Sequence, residues 1–550
     1  MKRITLALLF VLISFLLVSA QQQDKKPAPD KSQPAARTPE NKPGEPPMPE
    51  MKEMRPPERP GPDGKEPEPM RGVEPDMTEA PPVVTHHEIT LNGKPYRYTA
   101  TAGRLPIKDD DGKISALMFY VAYTAENAGP ASQRPLTFSF NGGPGSASFW
   151  LHMGAVGPRR VQMQPEGWMP AAPYKLVDNE DTILGKSDLV MIDAIGTGWS
   201  RARTEKLLKH YLGVKGDIEA FSEFIRLYIS RSERWGSPLY ILGESYGTTR
   251  AAGISGYLMQ RGIAFNGIVF VSVAIDLGTL ENTHGNDLPY VLLIPSYAMI
   301  AAYHHKLAPE MTADLAKLRA DAEQWAATTY ALALAKGDAI SPDERNSVID
   351  QMARYTGLDR KLLDNADMRI DVQKFTHNLL LDQKLRIGRL DGRFTGPDPD
   401  GVLDTPFYDP SGAQTLPPFA SVFNNYIRSE LNYKTDVPYF TSGGQNFYEK
   451  WDWGNAIEGI PSTAMDLRHA MTIDPFMKVL VMEGYYDLAT PFFAADYTFD
   501  HLNLPENLRK NISYAHYGAG HMMYLKKELL EQFHKDTDSF IDATVEANRQ

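Results

Sequence analysis

Six short apolar runs recur along the chain, each closing on a glycine-rich or turn-forming loop: LTFSFNGGPG from 136, DLVMIDAIGTG from 188, PLYILGESYG from 238, GIVFVSVAI from 267, KVLVMEGYYD from 478 and ISYAHYGAGH from 512. Apolar runs without polar alternation are the mark of strands buried on both faces. Helical lengths between them argue for a mostly parallel sheet covered on both sides, an α/β fold. Residues 217–232 carry a helical period, with Ile218, Phe221, Phe224, Ile225 and Tyr228 on one side. Upstream, HHEITLNGKPYRYTAT alternates around Asn92-Gly93 and predicts a hairpin. A second strand pair is expected at 105–107 and 114–124, joined by DDDG.

The rhythm breaks between 280 and 440. One helix there carries Leu315, Leu318, Ala322 and Trp325. Another opens at Ser341-Pro342-Asp343-Glu344, with an N-cap serine, proline at the first helical position and a capping-box glutamate, and ends at Gly357. With the turn-rich DGRFTGPDPDG at 391–401, the block reads as an inserted, mainly helical cap. The expected organisation is therefore a core over 83–279, the cap over 280–440 and a second core part over 441–550. An amphipathic helix near 526–543 closes the chain.

The N-terminal 82 residues fall outside this pattern. Lys2 and Arg3 precede an apolar run from Ile4 to Val18, and Val18-Ser19-Ala20 resembles a cleavage site, so residues 1–20 read as a secretory signal peptide. Beyond it no stretch approaches the ~18 uninterrupted apolar residues of a membrane span. Residues 21–82 hold 17 of the chain's 42 prolines among Glu, Lys and Gln, a composition that cannot bury enough apolar area to order itself. They read as a disordered tether. The formal charge of −12 becomes −14 once Lys2 and Arg3 are removed, which argues against nucleic acid as a partner. With no cysteine in 550 residues, disulfides and thiol chemistry are excluded, and a bacterial exported protein, periplasmic or secreted, is the reading this favours.

In an open α/β sheet, chemistry gathers at the carboxyl ends of the strands. Ser245 follows the 239–242 run, Asp487 follows 478–486, and His521 lies after 512–517. Serine, then aspartate, then histidine is the order that α/β-hydrolases use. A serine hydroxyl needs a base to take its proton, and the base needs a carboxylate to hold its tautomer. Developing oxyanion charge needs fixed N–H donors. The N–H of Tyr246 follows the nucleophile, and the FNGGPGSAS loop supplies a second, with Gly143 the expected donor. His516, Asp496 and Asp500 compete for these roles, but the two aspartates fall in an expected helix after Pro491, and His521 has the glycine-flanked loop position. Asp109–Asp111 lack the other ligands of a calcium loop, and the pairs His86-His87 and His304-His305 cannot converge on one ion. No metal or cofactor is expected.

Four separated motifs in the correct order resemble the serine carboxypeptidases. NGGPGSAS at 141–148 is similar to that family's NGGPGCSS, DAIGTGWS at 193–200 to DQPVGTGFS, GESYG at 243–247 to its nucleophile motif and GAGHM at 518–522 to its histidine motif. The resemblance runs from about 84 to 535 and is weakest in the cap. It implies an α/β-hydrolase fold, a triad of Ser245, Asp487 and His521, and oxyanion donors at Gly143 and Tyr246. It also implies a terminal-carboxylate site of Asn141, Gly142 and Glu244, with Met522 beside the pocket for the last side chain. Peptides with a free C-terminus would be the substrates.

Two departures bear on chemistry. The family's paired Asp motif is here Gly484-Tyr485-Tyr486-Asp487, keeping only the last Asp. The family also pairs the Glu before its serine with a second Glu on the helix after NGGPG; a gap-free alignment puts Ala155 there. Two carboxyls sharing a proton hold one pKa high. Without the partner, Glu244 is expected to lose that elevation and any carboxypeptidase activity to have a less acidic optimum than is usual for the family. An esterase or acyltransferase on the same triad, or a non-catalytic surface binding protein, are the alternatives.

Overall fold

The computed structural model describes residues 75–547 except 110, 127, 400, 402–407, 444–446 and 455–459. The expected signal peptide and nearly all of the expected tether lie outside the described residues. Among the described residues no helix is long and apolar enough to cross a membrane.

Ten strands form one mixed sheet: β1 (Val83–Leu91), β2 (Lys94–Lys108), β3 (Ile114–Ala125), β4 (Leu136–Phe140), β5 (Asp188–Ile192), β6 (Arg201–Ala202), β7 (Leu239–Ser245), β8 (Gly267–Val273), β9 (Lys478–Gly484) and β10 (Ile512–Tyr517). Their spatial order is β1-β2-β3-β5-β4-β7-β8-β9-β10, with β6 on β3. From β5 to β10 all pairs are parallel, whereas β1, β2, β3 and β6 pair antiparallel. The Asn92-Gly93 turn carries positive φ at both residues, as its sequence demands. One expectation changes: residues 94–108 form a single long strand, so the anticipated second strand pair shares its first member with the first hairpin.

The uniform apolar runs follow from the layers. Phe138, Ile241, Ile268, Phe270, Val479 and Val481 face one side, where they meet Ile218, Phe221, Phe224 and Ile225 of α1 (Val214–Arg231) and Ile254 and Leu258 of α2 (Tyr246–Met259). Their alternates Tyr240, Leu242, Val269, Val271, Leu480 and Met482 face the other. Both alternations along these central strands thus land in a core.

Between β8 and β9 the regular elements described are helices, joined by loops, apart from a short hairpin, Leu385–Ile387 with Thr395–Pro397. Helices α3 (Leu288–Tyr303), α4 (Leu315–Trp325) and α5 (Pro342–Thr356) build a core of their own, which Tyr486 and Leu488 join. Ser341 caps α5 by accepting from the N–H of Glu344, and Gly357 ends it at φ 68°. Helix α6 (Pro410–Ser429) behaves differently. Its Phe419, Phe423 and Tyr426 belong to the core on the second face of the sheet, alongside Phe533 and Phe540 of the closing helix α7 (Lys527–Ala547).

Charge is buried at one junction of this framework. Arg250 of α2 is fully enclosed and donates to Asp217 of α1 from Nε at 2.7 Å and Nη2 at 3.2 Å. Its Nη1 donates to the carbonyl of Asn141, at the end of β4, at 2.7 Å. The guanidinium also lies over the ring of Phe221, 4.3 Å from its centroid. Arg250→Met is expected to destabilise the fold by about 3–5 kcal/mol, because Asp217 is left buried and unpaired. Adding Asp217→Leu should recover most of that loss, and urea denaturation of the two variants measures both effects.

Candidate active site

The chain runs from β4 outward to β5, then crosses back to place β7 on the other side of β4. A sheet reverses its winding at such a point, and a crevice opens at the carboxyl ends of the two strands. The loops after β4 and β7 meet there. They meet closely: a Cβ on Gly142 would lie 2.4 Å from the N atoms of Tyr246 and Gly247. Only glycine fits.

At the end of β7, Ser245 sits at φ 61° and ψ −133°, a conformation that costs an L-residue about 1–3 kcal/mol. This sharp strand-to-helix turn raises the side chain above the sheet edge. Helix α2 begins at once with Tyr246, whose N–H is among the four that an α-helix leaves without an internal acceptor. The Tyr246 ring points away and packs on Trp451 at 5.3 Å, so the residue faces the crevice through its backbone.

The crevice is a cavity of about 600 Å³. Ser245, His521, Asn141, Gly142, Gly143, Glu244, Tyr246 and Met522 all line it, which brings together every expected site residue except Asp487. Asp487 lies behind His521 with no exposed surface, and its Oδ2 is 2.6 Å from Nδ1. Two backbone N–H groups, of Ala489 and Thr490, donate to its Oδ1, and the Thr490 hydroxyl donates to Oδ2 at 2.7 Å. The carboxylate is thus fixed as an acceptor, Nδ1 carries the proton, and Nε2 is left for the cavity. Burial alone would push the His521 pKa down, but Asp487 beside it carries the balance above 6.5.

The helical segment holds the histidine loop by its backbone. Leu390 accepts from the N–H of His521 at 2.6 Å, and Asp391, paired with Arg393, accepts from that of Gly520 at 3.0 Å. The competitors are accounted for. His516 stacks on Tyr485 and faces Asp496 at 3.5 Å; Asp500 ends the same helix, Phe492–Asp500. His86 bonds Glu126, His87 bonds Thr85, and His304 meets the carbonyl of Gly392.

Glu244 overturns one expectation. Its carboxyl is buried, with Oε1 accepting from Nδ2 of Asn141 at 2.8 Å and Oε2 from the hydroxyl of Tyr524 at 2.6 Å. Burial raises its pKa to about 7, although no second carboxyl stands at Ala155. Desolvation supplies an elevation that was expected to be lost with charge sharing. Residues 152–156 form a π-helical turn, on which Gly154 abuts the ring of Tyr524.

Four contributors escaped the sequence reading. Tyr524 had only its place three residues after His521 to mark it. Thr490 sits three after Asp487, a spacing at which a hydroxyl reaches back. Arg250 is a lone charge in a helix of otherwise small and apolar residues, the clearest of the missed signals. Asp193 accepts from the N–H of Ser148 at 2.8 Å and from Tyr439, tying DAIGTGWS to the NGGPGSAS loop.

The sequence profile described as serine carboxypeptidase matches residues 93–367, half of the chain. A curated serine carboxypeptidase family member from Dictyostelium discoideum is 26% identical over 174 residues; the match takes in 30% of this chain and 38% of that protein's length. The crystal structure of a prohormone-processing carboxypeptidase from Saccharomyces cerevisiae superposes with a TM-score of 0.51 at 16% identity, over 81% of this chain and 91% of that one, and shares the fold.

The state of Glu244 has a measurable effect on stability. Below about pH 4.5 its carboxyl is protonated folded or unfolded; between there and 7 only the folded protein keeps the proton. The contribution of Glu244 to stability therefore falls as pH rises through this window, by about 3 kcal/mol, and is flat above it. Glu244→Gln should remove that dependence, so the wild type loses ground to the variant between pH 4.5 and pH 8 in paired urea titrations.

The half-chain profile match, on a sheet and motif order of the same kind, establishes that this chain belongs to the serine carboxypeptidase family of α/β-hydrolase fold proteins.

Proposed function

We propose that the protein is an exported serine carboxypeptidase that removes C-terminal residues from peptides through an acyl-enzyme. One observation carries the reading: the Ser245 elbow and the His521 imidazole line a single cavity, with Asp487 buried 2.6 Å behind Nδ1. Ser245 Oγ attacks the carbonyl carbon of the last peptide bond while Nε2 of His521 takes its proton. Asp487 holds Nδ1–H and stabilises the imidazolium. The N–H groups of Gly143 and Tyr246 receive the oxyanion. His521 then gives its proton to the departing amine, and water repeats the sequence on the acyl group.

The free terminal carboxylate of the substrate is read by Asn141, the Gly142 backbone and Glu244. A neutral Glu244 donates a hydrogen bond to that carboxylate; an ionised one repels it. Met522 borders the pocket for the leaving residue, and the helices of 280–440 act as a cap over the crevice. Residues 1–20 direct export and residues 21–82 act as a tether, in keeping with a cysteine-free bacterial protein of the periplasm or exterior.

Mass spectrometry of a digested peptide mixture tests the reading, which expects shortening from the C-terminus only. Ser245→Ala should lower kcat by at least about 10⁴-fold with an unchanged melting transition, and a fluorophosphonate should label wild type at Ser245 alone. The pH profile separates the two protonation demands. His521 must be neutral and Glu244 protonated, so kcat/KM on a blocked dipeptide acid should peak near neutrality. The corresponding ester should keep the rise but not the fall above about pH 7. An optimum at pH 4–5, in the ordinary carboxylate range, overturns this account. Equal turnover of peptide acid and peptide amide would favour an esterase or acyltransferase instead.

A further inference from the structure

Glu244 is held by two donors from different parts of the chain. Asn141 belongs to the loop after β4; Tyr524 belongs to the turn that follows His521. A terminal carboxyl torsion is soft, and one hydrogen bond leaves it free to swing. Two donors on opposite oxygens fix its plane, and in the acid form they leave its proton for a ligand in the cavity that Glu244 lines.

The space for Tyr524 is specific. A Cβ on Gly154 would fall 2.5 Å from its ring, so a glutamate, or any side chain, at 154 would displace the tyrosine. The segment where the family carries its second carboxyl therefore yields its side-chain volume to the Tyr524 ring. Other groups near Glu244 do not take over this task. His521 and Asp487 act on it only through space, and His152, on the same turn as Gly154, is held neutral by burial at a pKa of about 3 and bonds Tyr123. From α6, Phe419 borders the space at Gly154 beside the Tyr524 ring and has no proton to offer.

We propose that Tyr524 is a positioning residue for the substrate's terminal carboxylate, its hydroxyl holding Oε2 of Glu244 in place of the family's second glutamate. This rests on the carboxypeptidase reading above. A second carboxyl would oppose ionisation of Glu244, whereas a phenol donor favours it. Burial drives the Tyr524 hydroxyl well above its ordinary pKa of 10, so it stays a donor throughout the working range.

The test is Tyr524→Phe, which keeps the ring against Gly154. Steady-state kinetics across pH would use a blocked dipeptide acid, its amide and the matching ester, with a thermal melt and the fluorophosphonate labelling rate for each variant. KM for the acid should rise about tenfold, more than kcat falls, and the acid-to-amide ratio of kcat/KM should drop about tenfold. The fall in activity at high pH should move up by about one unit, the worth of one hydrogen bond to an ionised group. In a Glu244→Gln background, Tyr524→Phe should add nothing to the change in selectivity. Should Tyr524→Phe not fold, 3-fluorotyrosine inserted at 524 keeps the shape and strengthens the donor, and the limb should then move down.

Equal losses on acid, amide and ester, or an unmoved KM and limb, overturn the assignment of Tyr524 while leaving the carboxypeptidase reading intact. A wild type that accepts the amide as readily as the acid overturns both.

Discussion

The peptide planes of residues 141–143 lie against the first turn of α2 with no room for a side chain at Gly142, and most of the site's geometry descends from that contact. It sets the backbone of the loop beside the N–H of Tyr246. It also lets Asn141 act with both halves. The carbonyl of Asn141 is held by Arg250 from within α2, while its side chain accepts from the N–H of Leu151 and donates to Glu244. Strand β4, the elbow, α1 and the 149–151 turn are thereby one rigid piece. Its buried ion pair suits this task better than an apolar contact would, because a guanidinium presents directional donors to both a carboxylate and a carbonyl.

His521 reaches the crevice from elsewhere, and it is fixed by different means. Its own strand, β10, is the last of the sheet, three strands away from β7. The N–H of Tyr486, just past β9, holds the carbonyl of Ala519 in the loop that follows β10 at 3.0 Å, but the histidine itself needs further support. The carbonyl of Leu390 and the carboxylate of Asp391 supply it from the helical segment, while Ser272 donates to the carbonyl of His521 at 2.7 Å from the end of β8. That segment therefore contributes backbone support to the imidazole as well as walls to the cavity. Its junction residues therefore matter to the position of the His521 imidazole.

Much of this was legible in the sequence, for a definite reason. Strands buried on both faces have no choice but to be apolar throughout, so 136–140, 188–192, 239–245 and 267–273 announce themselves. Residues that must sit at strand ends beside glycines, such as Ser245 and His521, are marked by local context. Long-range partners carry no such mark. Arg250 finds Asp217 across 33 residues and Tyr524 finds Glu244 across 280, and neither spacing encodes the meeting.

The electrostatic consequence goes beyond one alignment position. In a pair of carboxyls the raised pKa comes from like charges sharing one proton. Here Glu244 owes its value near 7 to desolvation, and both of its hydrogen bonds act in the opposite direction. Its acid character therefore depends on the cavity staying dry at that corner, where Tyr524 and the 149–156 turn close over it. Any loosening that admits water lowers the carboxyl towards the ordinary range and places a negative charge in the crevice. On the proposed carboxypeptidase reading, recognition of the substrate's terminus and tight packing around Glu244 are the same physical requirement.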